Sequence, residues 1–436
     1  MYTPPYPITM RKSLLLLAIA TAAMTLLSCS QPKVDDKPAY TATYINTGRQ
    51  SAVVYEPTVK TAKAGIAIVV MHSHADYMDF IANSELAGRG YTVVATAPTG
   101  SDLIETKVLC IKACVDYLRG RDDIRKIILL GHSGGATTMT AYGYLAEQGR
   151  AGLEGMIYQD YSERVDNLPR VDGMLLLDAN PGLSTILINS IDPNVVDESR
   201  GTGMKEVYTE DEPTAYMKAQ QRRYAKLVDW AEQRLEVIKA GQGRFVDDEP
   251  MLLPGAASMR FYNKLYSSDV HLLGHTRQAW PLIHADGSVT MEIVHSVRAP
   301  FQGWNGTDRL GAAEQLTVRS FLSTYAIRST ADYAVLEDGF TGIDFTSNLT
   351  SPIGNIRGVT VPSLFMGMTG SYEYLASEAI YLNSSAQDKS LAFVEGAGHM
   401  FEADRKAAEL HGADYGDTVK NLFDYVDAWL SAGRFQ

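Results

Sequence analysis

The sequence around Ser133 constrains the fold more than any other part of the chain. Residues 127–130 form an apolar run typical of a buried strand, and residues 136–148 favour a helix. Between them lies Gly131-His132-Ser133-Gly134-Gly135, in which glycines flank the serine on both sides. Glycine allows a sharp turn and a close approach of strand and helix, because no Cβ intervenes. The pattern therefore predicts a strand, a tight turn that carries Ser133, and a helix.

The same alternation of strands and helices continues on both sides of this turn. Before a long interruption we predict a hairpin over 40–56, strands over 66–71, 91–95, 126–130 and 173–178, and helices over 79–88, 104–118 and 136–148. After it we predict strands over 359–366 and 390–394 and helices over 374–382 and 419–430. Short apolar strands separated by helices of this length are typical of a parallel sheet covered on both faces. The predicted fold class is therefore α/β.

The interruption spans residues 181–354 and contains one clear periodic segment. Residues 224–238 place apolar side chains at helical spacing, which predicts an amphipathic helix. The rest is rich in glycine, serine, threonine and aromatic residues without a regular pattern. A long insertion between two halves of one sheet is typical of a cap over the catalytic edge. We therefore predict a core formed by residues 40–180 and 355–436 and a cap formed by residues 181–354.

Charge and composition limit the partners of this chain. The formal net charge is −12, and no run of lysine or arginine occurs. Because binding to phosphates needs a basic stripe, we expect no nucleic-acid partner. The hydrophobic fraction of 45% supports a sizeable core. No motif indicates a cofactor, and the sequence leaves the oligomeric state open.

The N-terminus has the features of a secretory signal. Arg11 and Lys12 precede an uncharged stretch rich in leucine and alanine, which is shorter than the ~20 residues of a membrane-spanning helix. Leu26-Leu27-Ser28-Cys29 resembles the lipobox of bacterial lipoproteins, whose cysteine is lipid-modified and begins the mature chain. This resemblance implies a signal peptide over 1–28, a lipid on Cys29 and a flexible tether over 29–39. It implies a protein anchored by that lipid alone in the bacterial cell envelope; an ordinary cleaved signal is the alternative.

Cys110 and Cys114 are the other two cysteines, four residues apart in the predicted helix over 104–118. Exported proteins often contain disulfides. Side chains at positions i and i+4 of a helix, however, do not readily reach the geometry of a disulfide. We therefore expect two small buried side chains rather than a bridge.

The residue types in the two core halves suit nucleophilic catalysis. A serine hydroxyl such as that of Ser133 needs a positioned base, and His399 follows the last predicted strand in a glycine-rich loop. The imidazole in turn needs a carboxylate that fixes its tautomer and stabilises its charged form. Glu373, after the strand over 359–366, is the preferred acid. Asp178, at the end of the strand over 173–178, is the alternative.

Together these motifs resemble the α/β-hydrolase superfamily over most of residues 60–180 and 355–432. The turn at Ser133 corresponds to the nucleophile elbow. His72-Ser73-His74 stands where the family carries a His-Gly-x loop. The resemblance implies an α/β-hydrolase fold with a mainly parallel sheet and an acyl-enzyme reaction on a small carboxylic ester. It also implies an oxyanion hole formed by the amides of Gly134 and of His74 or Ser73. A peptidase or amidase on the same machinery is the enzymatic alternative.

Two interpretations from other classes remain. His72, His74 and Asp76 spell H-x-H-x-D, which is suitable chemistry for Zn²⁺, but no later histidine or cysteine cluster completes such a site. We therefore expect no metal. Because two carboxylates compete for the role of the acid, a catalytically degenerate surface lipoprotein that only binds a ligand is the other alternative.

Overall fold

The computed structural model describes residues 39–100, 102–195, 197–199, 207–209, 211–256, 265–300 and 313–435. The predicted signal peptide, the lipid-attachment residue Cys29 and nearly all of the tether lie outside these residues. Within the described part, no helix is both long enough and apolar enough to cross a membrane.

A ten-stranded sheet forms the centre of the molecule. Its strands, in chain order, are β1 (Tyr40–Asn46), β2 (Ser51–Pro57), β3 (Ile66–Met71), β4 (Thr92–Thr96), β5 (Lys126–Ser133), β6 (Gly173–Ala179), β8 (His275–Ile283), β9 (Val289–His295), β13 (Ser363–Met368) and β14 (Lys389–Val394). Their spatial order is β1-β2-β4-β3-β5-β6-β13-β14-β8-β9. From β4 to β8 every neighbouring pair is parallel, and β1, β2 and β9 form the antiparallel margins. The predicted leading hairpin and parallel sheet are confirmed.

Helices cover both faces of this sheet. The helices of the described residues are, in chain order, α1 (Ile81–Gly88), α2 (Ile104–Arg119), α3 (Gly135–Gln148), α4 (Leu183–Ser190), α5 (Pro213–Lys239), α6 (Leu265–Ser268), α7 (Val318–Ser320), α8 (Pro352–Asn355), α9 (Ala376–Asn383), α10 (Arg405–His411) and α11 (Thr418–Ser431). Along β3, Val69 and Met71 belong to the core on the α2 and α3 side, whereas Ile68 and Val70 belong to the core under α1 and α11. Burial on both faces explains why the strands are continuously apolar.

The two cysteines of α2 are buried side chains. Cys110 and Cys114 are both fully enclosed and form no disulfide. Gln50 approaches them from the loop between β1 and β2, where its amide donates to the carbonyl of Cys110 at 2.8 Å. The expectation of two small core residues is confirmed.

Residues 181–354 do more than cover the sheet. β8 and β9 lie within this segment, and β8 pairs in parallel with β14 through the partners Leu282↔Phe393 and Ile283↔Val394. The cap prediction therefore does not hold for residues 275–295, which extend the sheet by two strands. β9 is exposed along nearly its whole length, so its sequence lacks the continuous apolar run that marked the inner strands.

The other described elements of the insertion contribute their buried apolar side chains to the core on the α2 and α3 side. They include α4, α5, the strand pair β7 (Pro250–Leu253) and β10 (Glu314–Thr317), and the hairpin of β11 (Arg328–Leu336) and β12 (Gly339–Asp344). The predicted amphipathic helix is α5, which begins at Pro213, eleven residues before the predicted start. Its apolar side chains share one core with those of α2 and α3. A π-helical turn, Phe321–Tyr325, joins the same core.

Candidate active site

Ser133 lies in a strained turn between β5 and α3. Its φ is 51°, in the left-handed region, which costs a residue other than glycine about 1–3 kcal/mol. The neighbouring glycines are required by close contacts. A Cβ on Gly131 would lie 2.7 Å from Cα of Ala136, and a Cβ on Gly135 would lie 2.6 Å from the carbonyl oxygen of Met71. The glycine-flanked sequence thus forms the sharp turn that it predicts.

Asp178 and His399 form a hydrogen-bonded pair beside this turn. Nδ1 of His399 donates to Oδ2 of Asp178 at 2.7 Å, and Asp178 is fully buried. Its other oxygen accepts the amide of Met368 at 3.2 Å. β6 is the neighbour of β5, and Ser133 pairs with Ala179, the residue after Asp178. The sheet therefore brings the acid and the serine to the ends of adjacent strands.

Glu373 also faces the imidazole, but from a greater distance. Its Oε2 lies 3.9 Å from Nδ1 of His399, beyond hydrogen-bond range. Ser371 stands closer, with Oγ at 3.4 Å from the same nitrogen, and accepts the amide of Glu373 at 3.1 Å. The sequence preference for Glu373 over Asp178 is therefore not supported by the geometry. The left-handed backbone of Asp178, with φ of 46°, directs the carboxylate at the end of β6 into that position.

The side chain of His132 contacts the loop that carries His399. Its Nε2 donates to the carbonyl oxygen of His399 at 2.7 Å, and the two ring centroids are 4.6 Å apart. Because Nε2 carries the proton, Nδ1 accepts from the hydroxyl of Tyr77, at 2.7 Å. Burial, followed by the charge of His399, holds the pKa of His132 well below its ordinary value. This residue is therefore a neutral positioning group, a role that sequence analysis did not assign to it.

The grouping of histidines and carboxylates does not favour a metal centre. Among the described residues, one set of potential ligand atoms comes within 4.8 Å, that of His132, Asp178 and His399. Both nitrogens of His132 and Nδ1 of His399 are already engaged in hydrogen bonds. In the residues that the structure describes, the H-x-H-x-D side chains form no such group, and each has other hydrogen-bond partners. Asp76 accepts the amide of Met78 at 2.8 Å, and Nδ1 of His74 pairs with Oγ of Ser73 at 2.9 Å.

The loop after β3 lies directly against the start of α3. A Cβ on Gly134 would collide with Oγ of Ser73 and would lie 3.0 Å from Nε2 of His72. The loop is fixed by Lys107, whose Nζ donates to the carbonyl oxygen of Ser73 at 2.5 Å. Lys107 is buried, and burial lowers its pKa. The sequence does not reveal this role of Lys107, because nothing in the pattern of α2 distinguishes it from a surface residue.

The predicted oxyanion donor His74 is placed differently from the expectation. Its amide donates to Nδ1 of His72 at 3.0 Å, so the N–H group points to that ring. Its own imidazole reaches the insertion, where Nε2 lies 3.1 Å from the hydroxyl of Tyr325. The π-helical turn of the insertion thus contacts the loop beside the elbow.

A cavity of about 590 Å³ adjoins His399. Its lining includes Ser267, Arg298, Ser371, Tyr372, Glu402 and Arg405. This volume is sufficient for a small organic molecule.

The sheet order, the parallel inner strands and a serine in a strained turn between strand and helix together decide the architecture. The chain has the α/β-hydrolase fold. The α/β-hydrolase sheet is here extended at one margin by β8 and β9.

No protein-family model and no curated protein matches this chain. Among solved structures, the chain is similar to Est1E from Butyrivibrio proteoclasticus, with 12% identity over 89% of this chain and 97% of that one and a TM-score of 0.39. Esterase B from Lactobacillus rhamnosis shows 9% identity over 90% and 88%, with a TM-score of 0.38. Proline iminopeptidase from Mycobacterium smegmatis shows 11% identity over 90% and 99%, with a TM-score of 0.37. Likenesses at this level carry no information about activity, and the assignment of the α/β-hydrolase fold rests on the topology.

Proposed function

We propose that this protein is a serine hydrolase that cleaves a small carboxylic ester through an acyl-enzyme intermediate. The observation that carries the proposal is the 2.7 Å hydrogen bond between buried Asp178 and His399, beside the strained turn that presents Ser133. A strained nucleophile turn, a base and an orienting carboxylate in one place are the parts that acyl transfer needs.

The proposed roles of Ser133, His399 and Asp178 follow from the position of the proton on the His399 ring. Because Nδ1 of His399 donates to Asp178, its Nε2 carries a lone pair and is the base that accepts the proton of Ser133. The hydroxyl oxygen attacks the ester carbonyl, and the resulting imidazolium is stabilised by the carboxylate. The amide of Gly134, directly after the nucleophile, donates to the oxyanion.

The second half of the reaction reverses the proton's path. His399 returns the proton to the departing alcohol, and the acyl group remains on Ser133. A water molecule, activated by the same nitrogen, then attacks the acyl-enzyme and releases the acid. The two steps consume one water and one ester, and regenerate the free serine.

Hydrolysis of p-nitrophenyl acetate and butyrate by the purified protein tests this proposal. We expect Ser133→Ala to abolish ester hydrolysis while the thermal unfolding transition remains. The matched control is Ser84→Ala, because the hydroxyl of Ser84 bonds to the carbonyl of Ile81 within α1. Ester hydrolysis that survives in Ser133→Ala would exclude the mechanism. Faster turnover of the corresponding anilides than of the esters would reassign the enzyme as an amidase or peptidase.

We also propose, from the sequence alone, that the protein is exported and anchored to a membrane of the cell envelope by a lipid on Cys29. Expression in a bacterial host that lipidates such signals should give a membrane-bound protein whose N-terminal peptide carries the lipid mass. Cys29→Ser should be released in soluble form. Equal membrane association of the two forms would contradict the anchor.

A further inference from the structure

His72 has a ring whose tautomer is fixed by its backbone neighbours. Nδ1 accepts two amide protons, from His74 at 3.0 Å and from Ala75 at 2.8 Å. An imidazole nitrogen that accepts cannot also carry the proton in the neutral ring, so the proton lies on Nε2. His72 therefore presents an N–H donor at the far side of its ring.

That donor lies beside the nucleophile turn. Nε2 would be 3.0 Å from a Cβ placed on Gly134, so it adjoins the residue whose amide follows Ser133. The ring is held there by stacking on Tyr77, with centroids 4.8 Å apart. No hydrogen-bond partner for Nε2 occurs in the described part of the chain, and the residue is partly exposed. The N–H group is thus not engaged by any described residue.

The same hydrogen bonds remove one donor that the superfamily resemblance implies. The amide of His74 donates to Nδ1 of His72 and is therefore already engaged. The His72 side chain, by contrast, keeps an N–H group on the side of its ring that faces Gly134. The His72 ring fits at this position because Gly134 has no Cβ, which would lie 3.0 Å from Nε2.

We propose that the Nε2–H group of His72 donates a hydrogen bond to the oxyanion, beside the amide of Gly134. The inference rests on the proposed acyl-enzyme reaction and adds a catalytic residue to it. A donor of this kind must remain neutral, because a charged ring would lose its two backbone donors. Burial, followed by the charges of His74 and His399, lowers the pKa of His72 to about 3, so the ring stays neutral at physiological pH.

Two substitutions test the acceptor Nδ1 and the donor Nε2–H of His72 separately. His72→Asn keeps a side-chain oxygen near the position of Nδ1, where it can accept the two loop amides, but removes the donor. His72→Gln extends an amide group toward the position of Nε2 and loses the acceptor. The inference predicts that kcat on p-nitrophenyl butyrate falls by about 10²- to 10³-fold in His72→Asn with little change in KM. In His72→Gln it predicts a kcat within about tenfold of the wild type.

The unfolding temperatures of the two variants distinguish a catalytic role of His72 from a role in loop structure alone. We expect His72→Asn to unfold at nearly the wild-type temperature and His72→Gln to unfold earlier, so activity and stability move in opposite directions. A trifluoromethyl ketone, which forms an oxyanion on the serine, should lose affinity in His72→Asn by about the factor lost in kcat.

The outcomes also separate this inference from the proposed function. If Ser133→Ala is inactive but His72→Asn keeps its kcat, the His72 donor is excluded and the serine mechanism stands. If kcat simply follows the unfolding temperature in both variants, His72 is a structural residue. A fall in Ser73→Ala in place of His72→Asn would assign the donor to the neighbouring hydroxyl. A wild-type protein without ester hydrolysis would exclude both proposals.

Discussion

Replacing Asp178 by asparagine tests the role of its carboxylate while the rest of the site stays unchanged. Asparagine has the same size and tolerates the left-handed backbone that Asp178 adopts, with φ of 46°. The change therefore removes the charge and leaves the turn in place. It also permits the wrong tautomer of His399, because an amide nitrogen can donate to Nδ1.

The size of the effect follows from the contact that is lost. In the proposed reaction His399 becomes charged, with its Nδ1 at 2.7 Å from a carboxylate oxygen and the charge centres roughly 4 Å apart. At an effective dielectric constant of about 20, two such charges attract by about 4 kcal/mol, which corresponds to roughly a thousandfold in rate. We therefore expect kcat/KM of Asp178→Asn on p-nitrophenyl butyrate to fall by about 10³-fold or more.

Glu373→Gln is the matched control for that variant. Glu373 is also buried and also faces Nδ1 of His399, but its oxygen is 3.9 Å away. We expect a loss of roughly tenfold or less, because the hydrogen bond that fixes the tautomer remains. Both variants should retain the wild-type circular dichroism spectrum. A larger loss in Glu373→Gln than in Asp178→Asn would refute the assignment of Asp178 as the acid.

Further expectations concern the turn, the titration of the buried histidine and the added strands. Gly131→Ala should lower the free energy of unfolding by about 1–3 kcal/mol in urea titrations, because its Cβ would meet the backbone of α3, whereas Gly88→Ala, with open space around it, should not. Between pH 7 and pH 5 the protein should lose stability: His132 stays neutral when folded, while the unfolded chain takes up a proton below about pH 6.5. His132→Gln should make this slope shallower; an unchanged slope would contradict a buried neutral ring. Trp280→Phe should cost about 1–3 kcal/mol by leaving buried Glu378 without its 2.6 Å donor from β8, and an unchanged urea midpoint would argue against that contact.

The sequence predicts the strands that are buried on both faces of the sheet. β3, β5 and β14 are buried on both faces, so their apolar runs were visible and their bounds were predicted to within a few residues. The turn at Ser133 was equally visible, because close backbone contacts there demand glycine on both sides of the serine. These two signals were enough to predict the fold and the position of the serine.

The sequence was not informative where geometry depends on distant partners. β9 is exposed along most of its length, so neither its pattern nor that of β8 revealed that they join the sheet. The choice between Asp178 and Glu373 depends on a backbone angle and a distance, neither of which has a sequence signature. The tautomer of His72 likewise follows from two backbone amides that its own loop brings to the ring.

The catalytic role of Ser133 is tested by treating the purified protein with a fluorophosphonate and locating the adduct by peptide mass spectrometry. The proposed mechanism predicts one adduct, on Ser133, that disappears in Ser133→Ala and is strongly reduced in His399→Ala. Folded protein that gains no adduct, or that is modified at another serine to the same extent in all three forms, would contradict a catalytic Ser133.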